Sequence, residues 1–284
     1  MKIFTIATRE EGYYALLKQT ALENGFSFNT LGWNHSWKGF AWKIDLYLEE
    51  LKKCSPEEPV VCVDGYDVIV VGTAEETYDK FMQTGHSIIF SGQRYFPSQK
   101  YIRKIADQVM SNHKTHNIGA INDHLDYSRP CMGLLIGYAN NLIALFEQLQ
   151  KLEHERKIGN DQILLNMYYL ENRNQIKLDT DCNIFQNLWR TRGVIYGKIT
   201  SKDKACEVEI CTDAQSNLTR VRNKKYKTLP CFLHGPFNLD MSMLLNEIGI
   251  PAPRLQISKG LHYWKYSINY YIKRAIPFLF MNRS

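Results

Sequence analysis

The sequence lacks the long apolar run that a membrane-spanning helix requires. None of its 284 residues lies in a stretch that approaches the ~18–20 consecutive apolar side chains of such a helix. The first segment, from Met1 to Thr8, also becomes polar too early to resemble a signal peptide. No transmembrane segment is therefore predicted, and we expect a cytoplasmic protein.

Paired cysteines are missing as well. An odd number of isolated cysteines, without the spacing of a metal site, argues against a disulfide scaffold and favours a reducing compartment. The seven cysteines are Cys54, Cys62, Cys131, Cys182, Cys206, Cys211 and Cys231.

The sequence also has no zinc-knuckle or RNP-like motif, so no nucleic-acid partner is predicted. The formal net charge is only +6. A mild basic excess of this size suits an anionic ligand such as a nucleotide diphosphate.

No internal repeat, proline- or glycine-rich linker or charge run divides the chain. Predicted strands alternate with predicted helices, which favours an α/β fold with a mostly parallel sheet and helices on both faces. A helix ending near Lys53 carries Trp42, Leu46 and Leu51 on an apolar stripe. The predicted strands cover residues 2–7, 60–64, 87–91, 134–138 and 230–233, and the other main helices cover 10–24, 75–84, 141–151 and 161–170. Residues 94–130 are polar and are predicted to be mainly loop.

The last 33 residues differ from the rest, because aromatic and cationic side chains are mixed from His262 to Phe280. We expect a main domain at 1–251 and a tail at 252–284. The tail is predicted to pack on the domain or to form the face of a homodimer, and an interfacial membrane helix is the alternative.

The most informative segment runs from Val60 to Val71 and contains Asp64 and Asp67 between apolar residues. Its apolar flanks are typical of buried parallel strands. The carboxylates then fall where a strand ends and the chain turns at Gly65, which is where open α/β sheets bind ligands. Two carboxylates at such a place suit a divalent cation that carries a diphosphate. The same residues also commonly serve only as turn formers.

Several segments together resemble the glycosyltransferase domain of the multifunctional procollagen lysyl hydroxylases. The resemblance covers roughly residues 2–251 and implies a free-standing GT-A type, Rossmann-like transferase, without the iron site of a hydroxylase. The segments that carry it are Ile6–Glu10, Asp64–Ile69, Phe90–Ser91 with Phe96–Pro97, Gly133–Gly137, Asp161–Gln162, Leu178–Asp179, Ile184–Leu188, Val221–Asn223, Thr228–Pro230 and His234–Gly235.

The resemblance implies a metal site made by Asp64, Asp67 and His234. Two carboxylates and one imidazole suit Mn²⁺ better than Mg²⁺, because Mg²⁺ prefers ligands that are all oxygen atoms. It also implies a donor-nucleotide site. The residues that it places against the nucleotide are Ile6, Thr8, Trp42, Tyr66, Asp64 and Gly235, with the ring of Tyr66 stacked on uracil.

A sugar-side role is implied for Asp161 and its neighbour Asn160. The family has a run of acidic residues here, whereas this sequence has only Asp161 preceded by Asn160. A helix N-cap is the alternative role for this pair. Two further departures are Met132, where the family has glycine, and Asp240, where the family has a lysine that can meet the diphosphate.

The implied reaction is Mn²⁺-dependent, retaining transfer of glucose from UDP-glucose to galactosyl-hydroxylysine of collagen or a collagen-like protein. The lack of a signal peptide suggests that this happens in the cytoplasm of a microbe, or of the host if the source is a virus. The alternatives are UDP-galactose transfer to hydroxylysine, transfer to another glycan, and an inactive relative that only binds collagen-like chains.

Overall fold

The computed structural model describes residues 1–93, 127–188, 200–202, 206–214, 216–236 and 239–255. Most of the predicted polar segment 94–130 and the tail from residue 256 lie outside these ranges. The expected boundary at residue 251, the role of the tail and the homodimer therefore stay predictions.

The centre of the fold is a six-stranded sheet in the order β2-β1-β3-β6-β5-β7. Strands β1, β2 and β3 pair in parallel, as do β5 and β7, whereas β6 runs antiparallel to β3 and β5. Its strands are β1 (Lys2–Ile6), β2 (Ser27–Leu31), β3 (Pro59–Asp64), β5 (Ile88–Gln93), β6 (Arg129–Tyr138) and β7 (Lys177–Asp179). The α/β class with a mostly parallel sheet, as expected for a GT-A type transferase, is confirmed.

Helices cover both faces of this sheet. Successive strand residues point to opposite sides, so each face has apolar side chains against which helices can pack. Phe4, Cys62 and Leu135 belong to the core cluster on one face, and their neighbours Ile3 and Val61 belong to the cluster on the other. Among the described residues, the helices on this sheet are α1 (Tyr14–Glu23), α2 (Phe40–Leu51), α3 (Ala74–Gln83), α4 (Ala139–Arg156) and α5 (Asp161–Glu171). The short helix α6 (Ser242–Glu247) belongs to a third core cluster.

A small second sheet stands beside the main one, in the order β4-β11-β8. It consists of β4 (Val68–Val70), β8 (Phe185–Asn187) and β11 (Phe232–His234). Strand β11 runs antiparallel to β4 and parallel to β8. A separate antiparallel hairpin is formed by β9 (Val208–Thr212) and β10 (Thr219–Asn223).

Two sequence predictions need correction. The apolar residues after Asp67 form β4, which is antiparallel and lies in the small sheet, so only the first flank is a parallel strand. The buried face of α2 comprises Lys43, Ile44, Tyr47, Leu48 and Leu51, whereas Trp42 and Leu46 are partly exposed. The predicted stripe is correct at Leu51, whereas at positions 42 and 46 the buried face lies one residue later, although Leu46 still packs against the core.

Among the described residues, no helix combines the length and the apolar character needed to cross a membrane.

Candidate active site

The two aspartates lie in a tight turn at the carboxyl end of the sheet. Strand β3 ends at Asp64, which pairs with Ile6 at the end of β1. At Gly65 a Cβ atom would come within 2.5 Å of the carbonyl oxygen of Ile6, so the turn needs a residue without a side chain. The chain then enters β4 directly after Asp67.

The third predicted ligand reaches this turn through the small sheet. Because β11 pairs with β4, His234 lies opposite Val68, the residue after Asp67. The backbone N–H of Gly235 donates to the carbonyl oxygen of Asp67 at 2.8 Å and fixes the two segments together. Residues about 170 positions apart in sequence thus meet at one point.

The three side chains have the arrangement of a metal site. Ligand atoms of Asp64, Asp67 and His234 all lie within 4.8 Å of one another. His234 Nε2 is 3.4 Å from Asp67 Oδ1 and 3.9 Å from Asp64 Oδ2. The imidazole is buried, whereas both carboxylates are partly exposed, so the group is accessible from the carboxylate side.

The packing at Gly133 is consistent with a site that must keep room for a ligand. A Cβ atom at this position would lie 2.6 Å from Asp64 Oδ2 and 2.6 Å from His234 Cε1. Any side chain here would push the two ligands apart. Two carboxylates and one imidazole, kept clear by a glycine, fit a divalent cation.

The electrostatics of His234 point the same way. Burial would lower the pKa of the imidazole, but Asp67 beside it raises the pKa well above its usual range. The negative potential that attracts a proton to this ring would equally attract a metal cation.

A buried lysine that sequence reasoning missed connects this group to Asp161. Lys43 Nζ lies 2.5 Å from Asp64 Oδ1 and 3.1 Å from Asp161 Oδ2. Burial would lower the pKa of Lys43, but the carboxylates of Asp64 and Asp161 raise it well above its usual range. A signal was available, because Lys43, Tyr47 and Leu51 are spaced by four and lie on the buried face of α2.

The two ends of the lysine bridge have opposite pKa shifts. Desolvation would raise the pKa of Asp64, but Lys43 and then His234 outweigh it and lower the pKa. Burial raises the pKa of Asp161; Lys43 opposes this shift, and the nearby charge of Asp64 adds to it. Asp64 is thus the more firmly ionised of the two carboxyl groups.

Asn160 and Asp161 divide the roles at the start of α5. Asn160 is the N-cap, and its Oδ1 accepts a hydrogen bond from the N–H of Ile163 at 3.0 Å. Asp161 is the first helical residue, and its Oδ1 accepts from the N–H of Gln162 at 2.8 Å. Through Lys43, the structure brings Asp161 next to the Asp64 group, and it leaves Asp161 only 4% exposed.

The predicted nucleotide residues differ in how exposed they are and in what they contact. Tyr66 and Thr8 meet directly, because the N–H of Thr8 donates to the Tyr66 hydroxyl at 2.9 Å. Both are partly exposed beside the aspartates. Ile6 belongs to a core cluster and is only 6% exposed, so its side chain packs in the core next to these residues.

Trp42 lies at the start of α2 in an aromatic cluster. Its ring centroid is 5.8 Å from that of Trp37, and Lys38 Nζ lies 5.7 Å from the Trp42 ring. The loop before the helix is joined to the segment just after β1, because the N–H of Asn34 donates to the carbonyl oxygen of Thr8. Gly235 is buried against Met241.

The two departures from the expected pattern also have places in the structure. Asp240, where a lysine was expected, is buried and accepts hydrogen bonds from the Tyr13 hydroxyl and the N–H of Ser242. Its carboxylate therefore has a structural role between the segment before α1 and the start of α6. Met132 donates its N–H to Gln162 Oε1, which connects β6 to the start of α5.

Asn187 is the second site residue without an assigned role in the sequence analysis. It lies in the small sheet beside His234, with Oδ1 2.6 Å from Nδ1 of the imidazole. The segment Ile184–Leu188 was part of the resemblance, but no spacing pattern indicated this contact.

Comparison with known proteins gives a consistent result. The family model described as "PLOD GT domain" matches residues 1–253. The Drosophila melanogaster procollagen-lysine,2-oxoglutarate 5-dioxygenase is 26% identical over 249 residues, covering 83% of this chain and 30% of the relative. The human multifunctional procollagen lysine hydroxylase and glycosyltransferase LH3 is 25% identical over 263 residues, covering 87% of this chain and 31% of the relative.

The chain thus spans less than a third of the length of these two relatives. Among solved structures, mouse xyloside xylosyltransferase 1 in its apo form aligns with a TM-score of 0.35 and 15% identity, over 52% of this chain and 53% of that one.

Proposed function

The chain belongs to the PLOD GT domain family, and from this we propose that it is a Mn²⁺-dependent hexosyltransferase that uses UDP-glucose. The observation that carries the proposal is the meeting of Asp64, Asp67 and His234 at the carboxyl edge of the sheet. Membership of a glycosyltransferase family makes a donor diphosphate the ligand that such a cation would serve.

In this proposal Asp64, Asp67 and His234 hold the metal. A bound divalent cation would neutralise charge on the departing nucleoside diphosphate. Lys43 holds Oδ1 of Asp64, while Oδ2 lies on the side of His234. The lysine thereby leaves one defined oxygen of this carboxylate for the ion.

The nucleotide is assigned to the corner next to the metal ligands. Tyr66 lies between the two aspartates in the sequence, and its hydroxyl accepts a hydrogen bond from the N–H of Thr8. An aromatic face fixed in this way suits stacking against a base. Ile6 supports the corner, and Trp42 and Gly235 are proposed to border the donor.

The sugar is assigned to the start of α5. Transfer breaks the bond between the anomeric carbon and the diphosphate oxygen, makes a bond from that carbon to the acceptor oxygen, and releases the acceptor's hydroxyl proton to the departing diphosphate. Asp161, oriented by Lys43 and by the N–H of Gln162, would stabilise positive charge that develops at this carbon. Asn160 positions the helix start and is proposed to contribute on the same side.

The favoured acceptor is galactosyl-hydroxylysine in collagen or a collagen-like chain. The names of the relatives support this choice, since they describe a procollagen-lysine dioxygenase and, for LH3, a multifunctional procollagen lysine hydroxylase and glycosyltransferase. Because the chain covers only about a third of their length, hydroxylation is not part of the proposal.

The experiment is a donor screen with product analysis. The protein is mixed with Mn²⁺, deglucosylated collagen and either UDP-glucose or UDP-galactose, and the modified peptides are analysed by mass spectrometry. We expect one added hexose on galactosyl-hydroxylysine with UDP-glucose. A hexose added directly to hydroxylysine from UDP-galactose would support the galactosyltransferase alternative, and no UDP release from any donor would support a binding-only relative.

A further inference from the structure

The two ring nitrogens of His234 have different partners. Nε2 faces the two aspartates, at 3.4 Å from Asp67 Oδ1 and 3.9 Å from Asp64 Oδ2. Nδ1 faces away from them and lies 2.6 Å from Asn187 Oδ1. The second contact is therefore on the far side of the ring, where an ion bound by the three ligands would not displace it.

The orientation of the Asn187 amide follows from its other partners. Its Nδ2 lies 2.6 Å from the carbonyl oxygen of Gly92 and 2.8 Å from Ser91 Oγ. A carbonyl oxygen can only accept a hydrogen bond, so the atom facing Gly92 must be the amide nitrogen. The flipped amide would place two acceptors against each other. Oδ1 of Asn187 consequently faces the imidazole.

This orientation decides which nitrogen of the ring carries the proton. Because Oδ1 of Asn187 is an acceptor, Nδ1 of His234 must donate, and in the neutral ring the lone pair is then on Nε2. Nε2 is the nitrogen directed at the aspartates. The other neighbour of Nδ1 is Cys131 Sγ at 3.7 Å, a longer contact to a weaker partner.

The fold holds this arrangement rigidly. Strand β8 runs parallel to β11 with Asn187 opposite His234. Asn187, His234 and Ser91 are 5%, 3% and 0% exposed, so water has little access to compete for these hydrogen bonds. A fully satisfied buried polar network of this kind specifies one conformation.

We infer that Asn187 is a positioning residue, which holds His234 in the Nδ1–H tautomer and so presents the Nε2 lone pair to a divalent cation. The inference deepens the proposed metal site and rests on it. Metal-ligating histidines commonly depend on such a partner, whose loss typically weakens metal binding about 10- to 100-fold.

The first test measures metal binding directly. Mn²⁺ affinity is determined from the electron paramagnetic resonance signal of free Mn²⁺ in the presence of UDP, for the parent protein and Asn187→Ala. Asn223→Ala is the matched control, since Asn223 is also buried and donates from Nδ2 to Gln186 without touching His234. We expect about 10- to 100-fold weaker binding in Asn187→Ala. Both variants should have a lowered melting temperature, but the control should keep its Mn²⁺ affinity within about twofold. Equal affinities in parent and Asn187→Ala would overturn the inference.

The second test observes the imidazole itself and needs neither a metal nor the Asn187 variant. The ring nitrogens of the ¹⁵N-histidine-labelled parent protein are observed by NMR without metal, at a pH where the His234 ring is neutral. His234→Gln identifies the signal by its absence. The inference expects the proton on Nδ1, and a proton on Nε2 would refute it. A parent protein that binds no Mn²⁺ would refute the proposed metal site, while this tautomer measurement would still decide the role of Asn187.

Discussion

The two sides of the candidate active site use different chemistry. On the side of the main sheet, Asp64 and Asp161 share the buried ammonium of Lys43. On the side of the small sheet, His234 is held by the uncharged amide of Asn187, which in turn bonds Ser91 and Gly92. On one side the partners are ionised, and on the other the imidazole is held by an uncharged amide that bonds a hydroxyl and a carbonyl group.

This difference separates two tasks. A buried charge that loses its partner is strongly destabilising, so the lysine bridge holds its two carboxylates together whether or not substrate is bound. An amide carries no net charge but has a fixed donor and a fixed acceptor, so it sets direction. The charged side is therefore expected to govern stability and sugar chemistry, and the neutral side to govern the geometry of metal binding.

The largest effect is expected from removing one of the proposed metal ligands, because the ion would lie between the two sides. Asp67→Ala and His234→Ala should each reduce Mn²⁺-dependent UDP release by more than about 100-fold. Loss of a residue that only supports a metal ligand costs about 10- to 100-fold, and loss of the ligand itself should cost more. Melting temperatures, measured in parallel, should show that the fold survives. A variant with near-normal turnover at limiting Mn²⁺ would remove that residue from the ligand set.

The next effect tests the charged side. Lys43→Met leaves two carboxylates without their buried cation and should cost about 3–5 kcal/mol of stability, with transfer strongly reduced. The double variant Lys43→Met/Asp161→Asn removes one of the stranded charges, so it should regain part of the stability but not the activity. Urea denaturation measures the first quantity and UDP release the second. Full stability in Lys43→Met would show that the bridge does not hold the site together.

Asp161→Asn alone addresses sugar chemistry without removing the lysine. Loss of one carboxylate charge near the reacting carbon should lower turnover by roughly 10²-fold, the scale of a lost electrostatic contact in the transition state. Affinity for UDP with Mn²⁺ should stay within a few-fold of the parent value, as measured by calorimetry. Normal turnover would return Asp161 to a structural role and direct the search for a catalytic carboxylate elsewhere.

A glycine pair tests the space between the two sides. Gly133→Ala would place a Cβ atom 2.6 Å from both Asp64 and His234, whereas at Gly159 nothing lies within 4 Å of the added atom. We expect Mn²⁺ affinity to fall about tenfold or more in Gly133→Ala, by analogy with other residues that support metal ligands, and to be unchanged in Gly159→Ala. Equal behaviour of the two variants would mean that the clearance at Gly133 is not needed for binding.

The smallest effect concerns the helix cap. Asn160→Ala should cost about 1 kcal/mol, because the N–H of Ile163 loses its partner, whereas Asn160→Asp keeps the capping oxygen and should cost little. Thermal melting checks both. Reduced turnover in a fully stable Asn160→Asp would assign a catalytic contribution to the amide itself.

Much of the fold could be predicted from local patterns. The apolar run before Asp64 and the alternation of strands and helices indicated the α/β class, since buried parallel strands have this signature. Strand β2 (Ser27–Leu31) was missed because its side chains are mostly partly exposed and it lies at the edge of the sheet. The direction of β4 could not be predicted, because an apolar run does not reveal which strand will be its partner.

The site was predictable where the residues share a motif and not where they meet through folding. Asp64 and Asp67 are three residues apart, and the resemblance added His234; the structure brings all three together. Lys43 meets Asp161 only because α2 and α5 pack on the same face of the sheet. Asn187 meets His234 only through the register between β8 and β11. The spacing within α2 could indicate that Lys43 is buried, but no local pattern indicates which residue it or Asn187 contacts.

The central claim is that the three-residue group at the carboxyl edge supports metal-dependent hexosyl transfer. UDP release from UDP-glucose by the unmodified protein, measured before and after removal of divalent cations with EDTA and again after addition of Mn²⁺, tests it most directly. The account predicts that release stops with EDTA and returns with Mn²⁺. Release that continues unchanged in EDTA would contradict it.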